Sequence, residues 1–363
     1  MKAAQLRTPA IALVLVLLAA AVSASDPVVT PGKKSLPLPG ESFQLNGQDA
    51  FVILPPGAGE DVPWVWYAPT LRGLPSKAEV WMFEKFLAEG IAIAGIDVGE
   101  SFGSPKGKAS YSELYDYLVK TRKFRKKPCL LARSRGGLML YSWAADNPGC
   151  VGGVAGIYPV CNIASYPGIA GAAGAFEMSA EQLQEKLAEH NPIDRLAALA
   201  KAKVPILHLH GDKDGTVPLE ANSAELAKRY KAAGGPVEIE VIAGQGHNMW
   251  NGWFQSQKLT DFAIACALGR APGAAQPKVG EEVTLSGRLD GGMAAIGGES
   301  TGWMLFIGEG EAESGIDVNM QGIGGADSFD GAQVTITGKI VTVQYLERGP
   351  TPMLKAQKVV RKP

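Results

Sequence analysis

Short apolar segments alternate with helix-like segments over residues 50–268, and this alternation constrains the fold more than any other feature of the chain. Ile91–Val98 is a continuous apolar run, which is typical of a strand in a parallel sheet covered on both faces. The segments predicted as strands are Phe51–Leu54, Pro63–Ala68, Ile91–Val98, Cys129–Ala132, Val151–Val160, Val204–His210 and Val237–Ile242. Those predicted as helices are Ser76–Glu89, Tyr111–Arg122, Gly136–Asp146, Ser179–Glu189, Leu219–Ala233 and Phe254–Leu268. This order predicts a mostly parallel α/β sheet with helices on both faces and right-handed crossovers.

The pattern changes after residue 268. Residues 269–280 (GRAPGAAQPKVG) are rich in glycine, alanine and proline, which predicts a linker. The apolar segments beyond it show no helical period: Val283–Leu289, Trp303–Ile307, Gly315–Met320, Val334–Val343 and Leu354–Val360. We therefore expect a small all-β domain over residues 281–363, with about five strands that could close an OB-like barrel. Acidic residues outnumber basic ones over Lys278–Tyr345, which favours a structural or docking module over a nucleic-acid binder.

Residues 1–24 predict an export signal. Lys2 and Arg7 precede the apolar run Ala10–Val22, and the small residues around Ser23 fit a cleavage site. The run is shorter than the roughly 20 residues that an apolar helix needs to span a bilayer, and the alternative is an anchor that is never cleaved. We expect a secreted or periplasmic mature chain that begins near Ser25 and has no membrane contact after cleavage.

Composition and cysteine content exclude several classes of protein. Hydrophobic residues make up 46% of the chain, so it can bury a sizeable core and is not a disordered protein. The 35 basic and 36 acidic residues leave no positive surplus for wrapping nucleic acid. Export permits disulfides, but four cysteines are too few for a disulfide scaffold. Cys129 and Cys150 could form a disulfide or remain two buried free thiols, and free thiols are favoured.

The segment Ala132–Gly136 joins a predicted buried strand to a predicted helix and has the layout small-x-Ser-x-Gly. A sharp strand-to-helix turn strains its central residue, so the residues two before and two after it must be small. Such a turn raises the Ser134 hydroxyl to the carboxyl edge of the sheet. It also directs the backbone N–H of Arg135, at the start of the helix, to where an oxyanion would form. Ser134 is therefore the candidate nucleophile.

A nucleophilic serine needs a base and an acid that orients it. His247 lies in a glycine-rich loop after the last predicted strand, where it can reach the carboxyl edge, and it is the leading base. The other histidines are His190, on a predicted helix, and His208 and His210, which alternate on one strand and are expected to pack or form hydrogen bonds. Asp214, in the loop HGDKDGTVP, is the favoured acid, and Asp212 in the same loop is the alternative.

Ser134, Asp214 and His247 occur in the order Ser…Asp…His, together with the turn around the serine and the loops HGDKDGTVP and GQGHN. This arrangement resembles the α/β-hydrolase superfamily, nearest the dienelactone hydrolase and prolyl oligopeptidase-like serine hydrolases. The resemblance covers about residues 50–268 and implies a catalytic domain over residues 25–268, a Ser-His-Asp triad, an acyl-enzyme intermediate and no cofactor or metal. Ala132 stands where the family usually has glycine, a change that a small residue should tolerate.

A second departure from the family is the absence of a His-Gly pair after the third strand. The segment at this position is Tyr67-Ala68-Pro69-Thr70-Leu71. By position it should supply the second oxyanion donor, and the resemblance favours the N–H of Leu71, with Thr70 as the alternative.

The sequence indicates the residues that contact substrate less directly than it indicates the catalytic ones. Arg133 and Arg135 flank the nucleophile and could bind a substrate carboxylate or pair with acids of the framework. Glu100 follows a central strand at its carboxyl end, and Trp250 follows the base and could form an aromatic wall. The long stretch of residues 161–202 could form a lid over the site or simply pack against the sheet.

These features predict an exported serine hydrolase that cleaves carboxylic esters, with carbohydrate esters among the candidates. The substrate would be a small molecule or an ester carried on a polymer. One alternative is a serine peptidase of the same superfamily, which is less favoured because no segment resembles the propeller domain of prolyl oligopeptidases. The other alternative is a non-catalytic binding protein on the hydrolase fold.

Overall fold

The computed structural model describes residues 27–272, 279–293, 301–307, 314–345 and 349–362. The predicted signal segment and residues 273–278 of the predicted linker lie outside these ranges. The strands are β1 Val29–Pro31, β2 Glu41–Leu45, β3 Gln48–Ile53, β4 Trp64–Tyr67, β5 Ala92–Ile96, β6 Cys129–Arg133, β7 Gly153–Ile157, β8 Ile206–Gly211, β9 Val237–Ile242, β10 Glu282–Met293, β11 Gly302–Ile307, β12 Ser314–Asn319, β13 Ala332–Tyr345 and β14 Gly349–Arg361. The α-helices are α1 Val80–Ala88, α2 Pro105–Asp116, α3 Gly136–Asp146, α4 Ile169–Ala173, α5 Ala180–Glu185, α6 Leu187–His190, α7 Ala197–Lys201, α8 Glu225–Ala232, α9 Asn251–Phe254 and α10 Gln257–Ala267.

Nine strands form the main sheet, in the order β1-β2-β3-β5-β4-β6-β7-β8-β9. The strands from β5 to β9 in this order pair in parallel, and β1, β2 and β3 add an antiparallel edge beside β5. The chain passes from β4 to β5 on one side and then returns to place β6 on the other side of β4. Ligand sites in open α/β sheets lie at the carboxyl ends of strands beside such a reversal, and β6 is the strand that ends at Arg133.

Each central strand sends alternate side chains to two separate apolar layers. Along β6, Leu130 packs in the layer on one face and Leu131 in the layer on the other. Along β4, Trp66 and Tyr67 divide in the same way. Helices α2, α3, α7 and α8 cover one face, and α1 and α10 cover the other. A sheet buried on both faces explains why the predicted strands are continuous apolar runs, and the predicted α/β-hydrolase fold class is confirmed.

The structure differs from the sequence prediction at three element boundaries. Strands β1 and β2 were not predicted from the sequence, and β3 begins at Gln48, earlier than the predicted strand Phe51–Leu54; β2 and β3 join through a tight turn in which Asn46 and Gly47 both have positive φ. Helix α2 begins at Pro105, earlier than predicted, because the Ser104 hydroxyl caps its first turn. The strand predicted over Val151–Val160 is shorter, since the chain turns after β7.

Residues 161–202 fold into α4, α5, α6 and α7 with short connecting turns. Leu183 of α5 is fully buried in an apolar cluster that includes Leu138 of α3 and Val217 of the loop after β8. The segment therefore packs on the elements that carry Ser134 and Asp214. None of its residues is among those that line the cavity at Ser134 described below, so within the described chain the packing interpretation fits better than a lid.

The C-terminal strands close a barrel in the order β10-β11-β12-β14-β13, with β13 paired back to β10. β12 and β14 are parallel, and the other neighbouring strands are antiparallel. The interior is apolar, with Leu289, Leu305, Val318 and Ile336 buried. This five-stranded barrel with one parallel pair agrees with the predicted OB-like region. The predicted boundaries at residues 268–269 and 280–281 remain predictions.

Cys129, Cys161 and Cys266 are buried free thiols, and Cys150 is a partly exposed one. The disulfide between Cys129 and Cys150 is therefore not formed in this structure. None of the helices described is long and apolar enough to cross a bilayer.

Candidate active site

Ser134 lies at the turn between β6 and α3. Its φ of 49° is in the left-handed region, which a non-glycine residue adopts only under constraint. The constraint comes from the neighbouring strand, since the Ser134 N–H donates to the Ile157 carbonyl at 3.0 Å and the Val160 N–H donates to the Ser134 carbonyl at 2.8 Å. Gly137 packs so closely that a Cβ there would lie 2.4 Å from the Val160 carbonyl oxygen. These contacts hold the serine at the carboxyl end of β6.

Three side chains that are distant in the sequence form one hydrogen-bonded chain. Ser134 Oγ lies 2.9 Å from His247 Nε2, and His247 Nδ1 lies 2.8 Å from Asp214 Oδ2. Asp214 follows β8 and His247 follows β9, so both loops leave the carboxyl edge of the sheet. Asp212, the alternative acid, accepts a hydrogen bond from the Gly244 N–H at 2.7 Å instead and links the two loops. The structure thus brings together the three residues chosen from the sequence.

The surroundings of Asp214 keep it ionised. Its Oδ1 accepts hydrogen bonds from the N–H groups of Thr216 at 3.0 Å and Val217 at 2.8 Å. Burial raises the pKa of Asp214, but the hydrogen bonds from His247 and from the Val217 N–H outweigh burial and hold this pKa below its ordinary value. A carboxylate on Nδ1 fixes the proton there, which leaves Nε2 of His247 free to accept the proton of Ser134.

Backbone donors are available beside the nucleophile. Over residues 27–272, the N–H groups of Arg135, Leu71 and Thr70 donate to no acceptor within the protein. All three residues line the cavity in front of Ser134. Unpaired N–H groups next to a nucleophile can stabilise the oxyanion of a tetrahedral intermediate. The arrangement therefore agrees with the predicted donors and leaves Leu71 and Thr70 as equal candidates for the second position.

A cavity of about 140 Å³ opens at Ser134. Its lining residues are Thr70, Leu71, Leu74, Arg133, Ser134, Arg135, Tyr158, His247, Asn248 and Met249. A larger depression of about 600 Å³ lies between the 123–127 segment and the end of α10 and contains none of the three residues of the hydrogen-bonded chain. Because nucleophile, base and free donors all meet in the smaller cavity, it is the candidate active site.

Both arginines beside the nucleophile are paired with acids of the framework. Arg133 donates to Glu79 at 2.5 Å, and the Glu79 side chain is only 2% exposed. Glu79 also accepts a hydrogen bond from the Tyr67 hydroxyl at 3.0 Å. Arg135 forms an ion pair with Glu100. Of the two interpretations of these arginines, the pairing favours the framework role over binding of a substrate carboxylate.

Only one of the three residues predicted to contact substrate lines the cavity. Arg133 lines the cavity, whereas Glu100 and Trp250 are not among its lining residues. Glu100 is held by Arg135. The Trp250 ring packs edge-on against Trp253, with centroids 5.5 Å apart, and remains 43% exposed. Trp250 is thus exposed and is not part of the wall of the cavity, although its neighbour Met249 is.

Tyr158 is a wall residue that the sequence analysis missed. Its ring centroid lies 4.3 Å from that of His247, and its hydroxyl donates to the Asn248 carbonyl at 3.2 Å. Burial raises the pKa of Tyr158, so the phenol stays neutral beside the base. The signal in the sequence was its position, directly after β7, at the same edge as Ser134.

In the described ranges, no group of three His, Cys, Asp or Glu side chains is arranged to hold a metal ion.

The chain is similar in sequence and in fold to known proteins. The sequence model of the prolyl oligopeptidase family matches residues 111–265. An S-formylglutathione hydrolase from Agrobacterium tumefaciens aligns with a TM-score of 0.50 and 15% identity over 68% of this chain and 96% of that one. Two further structures are similar: Est1E from Butyrivibrio proteoclasticus (TM-score 0.49, 20% identity, 62% of this chain and 98% of that one) and a puromycin-hydrolyzing peptidase from Mycobacterium tuberculosis (TM-score 0.48, 18% identity, 62% and 37%). A comparison with curated protein sequences gave no match.

Proposed function

We propose that this chain is a serine hydrolase of the α/β-hydrolase superfamily and that it cleaves carboxylic esters through an acyl-enzyme formed on Ser134. The observation that supports this most strongly is the hydrogen-bonded chain from Ser134 through His247 to Asp214. The non-catalytic alternative gains nothing from this geometry, because a binding protein would have no need to hold Ser134 and His247 2.9 Å apart.

The reaction follows from the positions of the protons. His247 Nε2 takes the hydroxyl proton while Ser134 Oγ forms a bond to the ester carbonyl carbon. The resulting oxyanion is stabilised by the N–H of Arg135 and by that of Leu71 or Thr70, each worth about 3 kcal/mol. The C–O bond to the alcohol then breaks, and His247 gives its proton to the leaving oxygen. Water repeats the sequence on the acyl-enzyme and releases the carboxylic acid.

The size of the site favours esters over amides. An amine is a poorer leaving group than an alcohol, so amide cleavage draws more binding energy from distant parts of the substrate. A cavity of about 140 Å³ supplies contacts to a small group only. Leu71 and Met249 in its lining, and Trp250 next to Met249 in the sequence, expose apolar surface. An acylated carbohydrate fits this arrangement, with a small acyl group inside and a sugar against the exposed ring of Trp250.

The test is Ser134→Ala with Ser142→Ala as the matched control. Ser142 is a buried serine of α3 whose hydroxyl has no hydrogen-bond partner in the described structure. We expect the wild type and the control to react with a fluorophosphonate probe and to hydrolyse short p-nitrophenyl esters. Ser134→Ala should lose the label and about 10⁴-fold or more in kcat. An unlabelled wild type, or a Ser134→Ala variant with full activity, would refute the proposal.

The peptidase alternative is favoured by the match to the prolyl oligopeptidase family. It is tested by comparing kcat/KM for p-nitrophenyl esters with that for prolyl amides of the same chromogenic type. A panel of acetylated, feruloylated and uronate esters, with Ser134→Ala as the blank, then identifies the ester class. Preference for the amides would replace the esterase proposal with the peptidase one.

We also propose that the protein is exported, on the basis of the charged and apolar pattern of residues 1–24. N-terminal sequencing of the protein recovered from the producing cell should find a chain that starts near Ser25. Recovery of an intact N-terminus from the cytoplasm would contradict export.

A further inference from the structure

A chain of four buried polar side chains lies behind Asp214, and the mechanism above uses none of them. Tyr141 is 1% exposed, and His208, His210 and Ser223 are fully buried. Tyr141 Oη lies 2.6 Å from His208 Nε2, and His208 Nδ1 lies 2.9 Å from Ser223 Oγ. Ser223 Oγ lies 2.7 Å from His210 Nδ1, and His210 Nε2 lies 2.8 Å from the Val217 carbonyl oxygen.

The partners fix the direction of every hydrogen bond in this chain. The Val217 carbonyl can only accept, so His210 must carry its proton on Nε2. Burial lowers the pKa of His210, so the ring is neutral and its Nδ1 accepts the Ser223 hydroxyl proton. Ser223 then has an acceptor site left for His208, which must donate from Nδ1. Burial lowers the pKa of His208 to about 3, so its Nε2 accepts from the Tyr141 hydroxyl.

This series of hydrogen bonds therefore ends with one donor, the Nε2–H of His210, which points at the Val217 carbonyl oxygen. Val217 is held from both sides, because its carbonyl accepts from His210 Nε2 at 2.8 Å and its N–H donates to Asp214 Oδ1 at 2.8 Å. His210 Nε2 also lies 3.6 Å from Asp214 Oδ2, the oxygen that faces His247. His210 closes the loop of residues 211–217 and so fixes the N–H groups that orient the Asp214 carboxylate.

We propose that His210 is a positioning residue for the reaction: it holds Asp214 in place through Val217, and Ser223 fixes the tautomer that makes this hydrogen bond. The inference rests on the proposed function, since it assigns Asp214 the role of orienting His247. None of Tyr141, His208, Ser223 or His210 lines the cavity at Ser134. Loss of the His210 donor should therefore affect proton transfer and leave substrate binding unchanged.

Two substitutions of His210 distinguish the loss of its hydrogen-bond donor from the loss of the space that its ring fills. In His210→Gln the amide nitrogen can reach the position of imidazole Nε2 and donate to Val217. In His210→Asn the shorter amide reaches only the position of Nδ1, so it can contact Ser223 but not Val217. We expect His210→Asn to lower kcat about 10- to 100-fold with KM changed by less than about twofold, because a small misplacement of a catalytic group has effects of this size. His210→Gln should recover kcat to within about fivefold of the wild type.

His190→Asn on α6 is the control for loss of an imidazole, and thermal unfolding measures the stability of every variant. If His210→Asn fails to fold, Ser223→Ala is tested in its place. This variant leaves His210 present but removes the hydroxyl that fixes its tautomer, so it should lower kcat at constant KM. Equal kcat in wild type and variants, or equal losses in His210→Asn and His210→Gln, would overturn the positioning role while fluorophosphonate labelling of Ser134 remained intact. Absence of labelling in the wild type would overturn the proposed function and the positioning role together.

Discussion

Replacing His208 by glutamine should make the stability of the protein less sensitive to acid. Burial, reinforced by the nearby His210, lowers the pKa of His208 from 6.5 to about 3 in the folded protein. Below pH 6.5 the unfolded chain therefore binds a proton at this residue that the folded chain does not bind. Stability contributed by the neutral ring is complete above this pH and is lost as the pH falls toward about 3. At about pH 4.5 the loss amounts to about 3 kcal/mol.

The measurement is urea unfolding at about pH 7.5 and about pH 4.5, followed by tryptophan fluorescence. Trp64, Trp66, Trp143 and Trp253 are buried in the region that contains His208, so their emission reports its unfolding. His210, whose pKa burial also lowers, is present in both proteins. The wild type should lose about 3 kcal/mol more than His208→Gln between the two pH values, whatever the stability of the variant at neutral pH. Parallel losses in the two proteins would show that His208 is protonated in the folded state, and the proton directions derived for the buried chain would then be wrong.

Two further predictions concern stability. Glu79→Gln should destabilise the protein by about 3–5 kcal/mol, because it leaves the Arg133 guanidinium buried without its charged partner; Glu79→Leu combined with Arg133→Met should recover most of the loss in urea unfolding, and a double variant as unstable as the single one would contradict the reasoning. Ser256→Ala should lower the free energy of unfolding by about 1 kcal/mol, because the Ser256 hydroxyl caps α10 by accepting the Leu259 N–H at 3.2 Å. A change in the melting temperature too small to resolve would show that solvent replaces this cap.

The triad residues could be predicted from the sequence because each is constrained by its local setting. Ser134 needs small residues two positions away on either side, and those are visible in a single line of sequence. Asp214 and His247 follow apolar strands, and the carboxyl ends of parallel strands meet at one edge of the sheet. The choice of Asp214 over Asp212 depended on loop geometry, and the structure puts Asp214, not Asp212, on His247.

Other features of the site depend on contacts between distant segments and left no comparable trace. Arg133 and Glu79 are far apart in the sequence, and nothing in either segment indicates that they form an ion pair. Tyr158 contacts His247 only because the chain turns directly after β7, where the sequence predicted a longer strand. Strands β1 and β2 were missed for a related reason: these short strands are stabilised by pairing with each other and with β3 more than by their own composition.

The residues that carry out the chemistry could be predicted from the sequence, whereas those that would select the substrate could not. Acyl transfer restricts the identity of a few residues, because only certain side chains can attack, accept a proton or orient the base. Substrate choice depends instead on the shape of exposed surface around them, where Leu71, Met249 and Trp250 are 52%, 54% and 43% exposed. Many combinations of apolar residues could form such a rim, so its composition says little about the substrate in advance. The buried chain from Tyr141 to His210 lies between these cases: its residue types were visible, but their shared role became apparent only when the fold placed them in hydrogen-bonding order behind Asp214.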